Sequence, residues 1–156
     1  MDEIESLKIQ VEKLKNLLNI YMHDKLTGLL MRRDFDHKFT EFFNSGKKFY
    51  LTLVDVNGLH NVNRDPNQGY DAGDDLIVSI SHKLTMICDN VVYRIGGDEF
   101  AVLSYNKPKI TPDKLYSYAY MSNENFINTR HMMKSADKKI IEAKKILYTG
   151  SNNRRQ

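Results

Sequence analysis

Seven residues, Arg94-Ile95-Gly96-Gly97-Asp98-Glu99-Phe100, constrain the fold more than any other stretch. Asn90-Val91-Val92-Tyr93 before them and Phe100-Ala101-Val102-Leu103 after them are rich in β-branched and aromatic residues, which predicts two strands. Gly96-Gly97 between two such runs predicts a two-residue hairpin, because a tight turn needs positive φ and glycine adopts it freely. The turn would then carry Asp98 and Glu99 at the lip of a two-stranded ribbon. Adjacent carboxylates repel each other and lose solvation when covered, so they call for a cation, commonly a divalent one. The plainer alternative is a solvated acidic turn.

A further acid bears on that choice. Phe49-Tyr50-Leu51-Thr52-Leu53-Val54-Asp55-Val56 is a continuous β-prone run, the mark of a central strand buried on both faces. Asp55 ends it, where an open α/β sheet presents ligand-binding groups. An acid there is costly unless paired, so metal ligation is preferred over a simple helix cap. Asn57-Gly58 starts a turn into a short helix over Leu59 to Asn63, and Arg64 to Gly73 reads as a loop. Asp74-Asp75 then caps a helix with Leu76, Ile77, Ile80, Leu84 and Ile87 on its apolar face. Beyond the hairpin, Leu115 to Met121 is a tyrosine-rich strand, and a closing helix runs from about Met132 to Leu147. The polar tail from Thr149 to Gln156 is expected to be loose.

At the other end, Ile4, Leu7, Val11, Leu14, Leu18 and Tyr21 alternate spacings of three and four over residues 2–22. That is the seam of a short coiled coil, although an amphipathic helix packing on its own domain has the same pattern. Gly28 is expected to stop this helix. Another begins at about Arg32 and runs to Asn44, with Phe35, Phe39, Phe42 and Phe43 on one face.

Composition excludes several classes. With 41% hydrophobic and 28% charged residues in 156, the chain is an ordinary globular domain able to bury a core. A net charge of +3 fits an anionic substrate such as a nucleotide and makes no case for a nucleic-acid groove. The single cysteine, Cys88, excludes an internal disulfide and reads as core rather than as a reactive thiol. No apolar run approaches the roughly 18 residues that span a bilayer. The opening Met1-Asp2-Glu3 is unlike a signal peptide, so a cytoplasmic location without membrane attachment is expected.

The stretch from Arg94 to Phe100 resembles the signature of the GGDEF family, the bacterial diguanylate cyclases. The resemblance covers about residues 20–150. It includes the opening Asp24-Lys25-Leu26-Thr27-Gly28-Leu29 run, and Ala136-Asp137 followed by Ala143-Lys144 near the end. It implies an α/β (α+β) fold with a palm-like, mainly antiparallel sheet backed by helices. The expected organisation is an N-terminal helix over 1–22, a cyclase domain over 23–150 and a tail over 151–156. The implied reaction joins two GTP molecules into cyclic di-GMP and releases pyrophosphate twice. Each domain holds one GTP, so a homodimer is implied.

The resemblance also implies site residues. Asp55, Asp98 and the carbonyl of Val56 would bind two Mg²⁺ ions, for which Mn²⁺ can substitute. Asp98 is the candidate for deprotonating the 3′-hydroxyl, with Glu99 beside it. Asn63 and Asp74 would read guanine, with helix capping the alternative role for Asp74. Gly96 and Gly97 would approach the substrate. Lys144 would contact phosphate, although a helix lysine is more often merely solvated. Asp24 and Arg33 are structural or near the phosphates.

Departures from the family pattern are also present. His60 stands where a phosphate lysine belongs, and Tyr148 replaces a basic residue one turn after Lys144. The loop between Asn63 and Gly73 is long and carries Gly69-Tyr70 in place of Gly-His, and the interval from Phe100 to Ser117 is short. Ile87 and Asn90 stand where an inhibitory Arg-x-x-Asp pair would be. These leave two alternatives: a non-catalytic nucleotide-binding or regulatory module, and a cyclase with a different cyclic dinucleotide product.

Overall fold

Strand β2 (Tyr50–Val56) is the spine of the molecule, and six of its seven residues are buried. In the computed structural model, which describes residues 2–64 and 69–152, it lies between two antiparallel neighbours. One neighbour is β4 (Glu99–Ser104) and the other is the edge strand β5 (Tyr116–Ser122). The five-stranded sheet is completed by β3 (Val92–Arg94), antiparallel to β4, and by the two-residue β1 (Leu30–Met31), parallel to β3. The expected helix-backed, mainly antiparallel sheet is what the chain forms.

Side chains alternate along each strand, so the two faces of the sheet build two cores. Leu51, Leu53, Ala101, Leu103, Ala119 and Met121 face one way. Helix α2 (Arg32–Asn44) lays Phe35 and Phe39 on them, and α5 (Thr129–Asn152) adds Met132, Ala136 and Ile140. Phe39 meets Phe49 edge-on at 6.0 Å between ring centroids. Val54, Val56, Phe100, Val102 and Tyr116 face the other way, under Ile77, Ile80 and Leu84 of α4 (Gly69–Ile87). Removing Leu84, which is fully buried, would cost about 2–5 kcal/mol. Cys88 is half-buried beside this second core, where burial first and the Asp89 charge second push its thiol up. That agrees with a packing role.

Helix α2 ends at Ser45, whose N–H donates to the Glu41 and Phe42 carbonyls, and Gly46 follows at φ +67°. Helix α1 (Glu3–Met22) stops at His23, which is extended, and not at Gly28. Gly28 instead closes the next turn at φ +71°, donating its N–H to the Asp24 carbonyl. No residue of α1 is buried, so it does not pack on its own domain. Of the stretch expected to be a loop, Arg64 belongs to α3 (Leu59–Arg64) and Gly69 to Gly73 belong to α4, while residues 65–68 lie outside the described residues. Asp74 therefore lies inside α4 and is not its cap. The closing helix also begins earlier than expected, at Thr129, and continues through Asn152 into the segment expected to be loose.

Candidate functional site

The turn from β3 to β4 is wider than a two-residue hairpin. Arg94 pairs with Phe100 in the ladder, and the N–H groups of Ile95 and Gly96 both donate to the Glu99 carbonyl, at 2.9 and 3.3 Å. Neither Gly96 nor Gly97 takes a positive φ, so the conformational reason expected for them does not apply. A Cβ on Gly96 would lie 2.5 Å from Glu99 Oε2 and 3.2 Å from its Cβ, so the exposed Glu99 side chain would have to shift. At Gly97 a Cβ would meet nothing within 4 Å.

Arg94 braces this turn from behind. Its guanidinium donates to the Gly97 carbonyl at 2.6 Å and pairs with Asp24 at 2.8 Å. Asp24 also accepts from the Thr27 N–H and hydroxyl at 2.8 and 2.7 Å. Burial alone would raise the Asp24 pKa, but the bonds from Thr27 and Arg94 outweigh it and hold the carboxyl below its ordinary value. The structural role for Asp24 is thus seen, whereas Arg33 lies exposed on α2. Reading the motifs separately missed Arg94 as the link between them, although both partners lie in matched segments.

The hairpin delivers Asp98 to the end of β2, where the Val56 N–H donates to the Asp98 carbonyl at 2.9 Å. Val56, Gly58, Leu59, His60, Asn61, Asp98 and Lys144 line an open, mainly polar cleft of about 210 Å³. Asp55, 8% exposed, is joined to this cleft through Lys144, whose ammonium lies 2.5 Å from its Oδ1. That ammonium is the partner of Oδ1, which has no other among the described residues. Burial pushes the Asp55 carboxyl up, Lys144 pulls it down, and the Asp98 charge adds a smaller upward push.

Glu99 stands across the ladder from Asp55. It is exposed, yet its carboxyl is raised first by desolvation and then by the charges of Asp55, Asp98 and Asp137, with Arg32 opposing. Asp137 and Arg32 were not expected at the site. Their signal was weak, since a lone acid and a lone arginine on helix faces are usually solvated.

Asn63 sits elsewhere, at the far end of α3. Its Oδ1 is buried without a partner and lies where a Cβ on Gly73 would collide with it. Gly73 therefore lets Asn63 close onto α4 beside Asp74, whose side chain is exposed. The Tyr148 and Tyr70 side chains, at two departures from the family pattern, lie outside the described residues.

Two carboxylates and the Val56 carbonyl suit a magnesium ion that completes its shell with substrate phosphates. The described residues hold no group of three or more His, Cys, Asp or Glu able to bind a metal unaided. The buried, incompletely satisfied Asp55 Oδ1 fits such a partial donor set.

The family model described as "Diguanylate cyclase, GGDEF domain" matches residues 21–119. Diguanylate cyclase VdcA of Vibrio cholerae is 33% identical over 107 residues, 67% of this chain and 30% of that protein. Diguanylate cyclase DgcN of Escherichia coli is 30% identical over 112 residues, 68% of this chain and 27% of that protein. The chain thus spans under a third of the length of these relatives. Among solved structures, the coiled coil and GGDEF domain of DgcB from Caulobacter crescentus, in complex with c-di-GMP, superposes with a TM-score of 0.80 at 16% identity. That match covers 92% of this chain and 91% of the other. The diguanylate cyclase SiaD of Pseudomonas aeruginosa, in complex with its activator SiaC, gives 0.69 at 19% identity over 92% and 67%. Both likenesses are of fold. With the family model covering more than half of its length, the chain belongs to the GGDEF-domain family of diguanylate cyclases.

Proposed function

We propose that this domain condenses two GTP molecules into cyclic di-GMP with release of two pyrophosphates, each copy holding one nucleotide. The observation that carries the reading is that Asp98 and Lys144 line one polar cleft at the end of β2, with the Lys144 ammonium 2.5 Å from Asp55 Oδ1. Asp55, Asp98 and the Val56 carbonyl would hold Mg²⁺, or Mn²⁺ in its place. When bound, such ions neutralise phosphate charge and lower the pKa of a coordinated hydroxyl.

The chain's own residues supply the rest. Lys144 offers its ammonium to the phosphates, and His60 lines the same cleft. Asp98 would accept the proton of the attacking 3′-hydroxyl, a role supported by the turn that Arg94 braces through the Gly97 carbonyl. The Asn63 amide can donate to the O6 and N7 acceptors of guanine. The Asp74 carboxylate can accept from its N–H groups, which adenine lacks in that arrangement. The partner's nucleotide has to meet this cleft from outside, and the exposed seam of α1 would bring two copies together. A location in the cytoplasm agrees with a nucleotide substrate, and no helix among the described residues is long and apolar enough to cross a membrane.

Incubation of the protein with GTP and Mg²⁺, with products identified by mass spectrometry, tests the reading. Cyclic di-GMP is the expected product. Bound but unconverted GTP would support a regulatory module, and a different cyclic dinucleotide would overturn the guanine assignment.

A further inference from the structure

The side chains around the end of β2 are unequally charged. Asp55, Asp98 and Glu99 are near enough for their charges to act on one another, and Asp55 is the most buried of them. The Lys144 ammonium, 2.5 Å from Asp55 Oδ1, is the only cation in ion-pair contact with Asp55 among the described residues. No other partner reaches Asp55 Oδ1 among the described residues, so that ammonium carries its compensation alone.

We propose that Lys144 acts as an internal substitute for the divalent cation, occupying Asp55 until a nucleotide draws its ammonium away. The proposal rests on the reading of Asp55 as a metal ligand. Mg²⁺ binds carboxylate oxygen at about 2.0–2.1 Å. An ion that close to Asp55 would stand within a few ångströms of the ammonium, and like charges at such range repel strongly in a partly buried site. Lys144 and a divalent ion therefore compete for Asp55. The ammonium can leave without cost only if other oxygens receive it, and the phosphates of a nucleotide provide them in the same cleft. Free metal accordingly binds poorly, and metal enters together with the nucleotide. Lys144 thus has two positions, one on Asp55 and one on phosphate, and the exchange makes loading ordered.

The test is a Mn²⁺ titration without nucleotide, reading free Mn²⁺ by electron paramagnetic resonance. Lys144→Met and Lys144→Gln should each bind Mn²⁺ about tenfold more tightly than wild type, or better. Lys144→Arg, which keeps the charge, should stay as weak as wild type. Adding Asp55→Asn to Lys144→Met should remove the gain. The Lys144 side chain is 29% exposed on α5, so Met or Gln preserves the helix, and a circular dichroism melt verifies folding. Equal affinity in wild type and both neutral variants overturns the proposal, as does a gain that survives Asp55→Asn. The readout is independent of turnover. A Mn²⁺ gain in the variants, together with a wild-type protein that makes no cyclic dinucleotide from GTP, would overturn the proposed function and leave the competition standing.

Discussion

Asp55 of β2 and Glu99 of β4 occupy the same register across their antiparallel pair, carboxylate opposite carboxylate. Like charges directly opposed in a ladder destabilise it. The Glu99 carboxyl is raised in the folded protein, first by desolvation and then by Asp55, Asp98 and Asp137. A raised acid costs stability above its folded pKa, and the cost disappears as pH falls below the unfolded value near 4.3. Glu99→Gln should therefore raise Tm slightly at pH 7.5, with the gain gone at about pH 4. The effect is small because Glu99 is exposed and screened. Thermal melts at the two pH values check this, and a variant less stable than wild type at pH 7.5 would contradict it.

Asp55→Asn and Asp98→Asn should each lower cyclase activity by roughly 10²-fold or more, since both remove charge aimed at the reacting phosphates. Asparagine is chosen because Asp55 is buried and alanine would leave a gap. Losing Asp55 also frees Lys144, but that side chain is already in reach of water. Both variants should fold. Turnover within threefold of wild type in either would refute the roles given to them.

Gly73→Ala should weaken GTP binding about tenfold or more, the cost of displacing a polar reader of the base. A Cβ at this position runs into Asn63 Oδ1 and also approaches Leu59 at 3.2 Å. Alanine favours a helix by about 1 kcal/mol over glycine, so global stability should change little. A competition titration of GTP against ATP reads the effect. Unchanged guanine preference would show that Asn63 does not read the base.

The sequence made β2 to β5 and the position of Asp55 legible, because β2 is apolar on both faces and ends in an acid, but not the two-residue β1, which is too short to leave a pattern. Helix α2 was equally clear from its phenylalanines and from the Ser45-Gly46 break. The start of α4 was not, since Gly69-Tyr70-Asp71-Ala72-Gly73 has the composition of a loop. What makes Gly73 useful there is the approach of Asn63 from α3, a tertiary contact. The signature glycines misled in the same way. Gly96 yields space to the Glu99 side chain, which propensity rules do not register. The family resemblance placed Lys144 at the site, but only the folded chain shows it on Asp55.

Removing residues 1–20 should leave a folded domain that binds GTP, with specific activity rising steeply with protein concentration. Ile4, Leu7, Val11, Leu14, Leu18 and Tyr21 are each between 48% and 71% exposed, a seam that a second copy would cover. Joining two domains through such a seam raises the effective concentration of one half-site near the other to about the millimolar range. Sedimentation and dilution assays check this together. Undiminished activity of the truncated protein in dilute solution would refute the role of α1.

If this chain joins two guanine nucleotides at the cleft of Asp98 and Lys144, with Asp55 beside Lys144, pyrophosphate and cyclic di-GMP must form together. Both are read at once from purified protein, GTP and Mg²⁺. Two pyrophosphates are expected for each cyclic di-GMP, with both products lost in Asp98→Asn. Pyrophosphate without the cyclic dinucleotide, or equal yields of both products from wild type and Asp98→Asn, would contradict the joining of two nucleotides there.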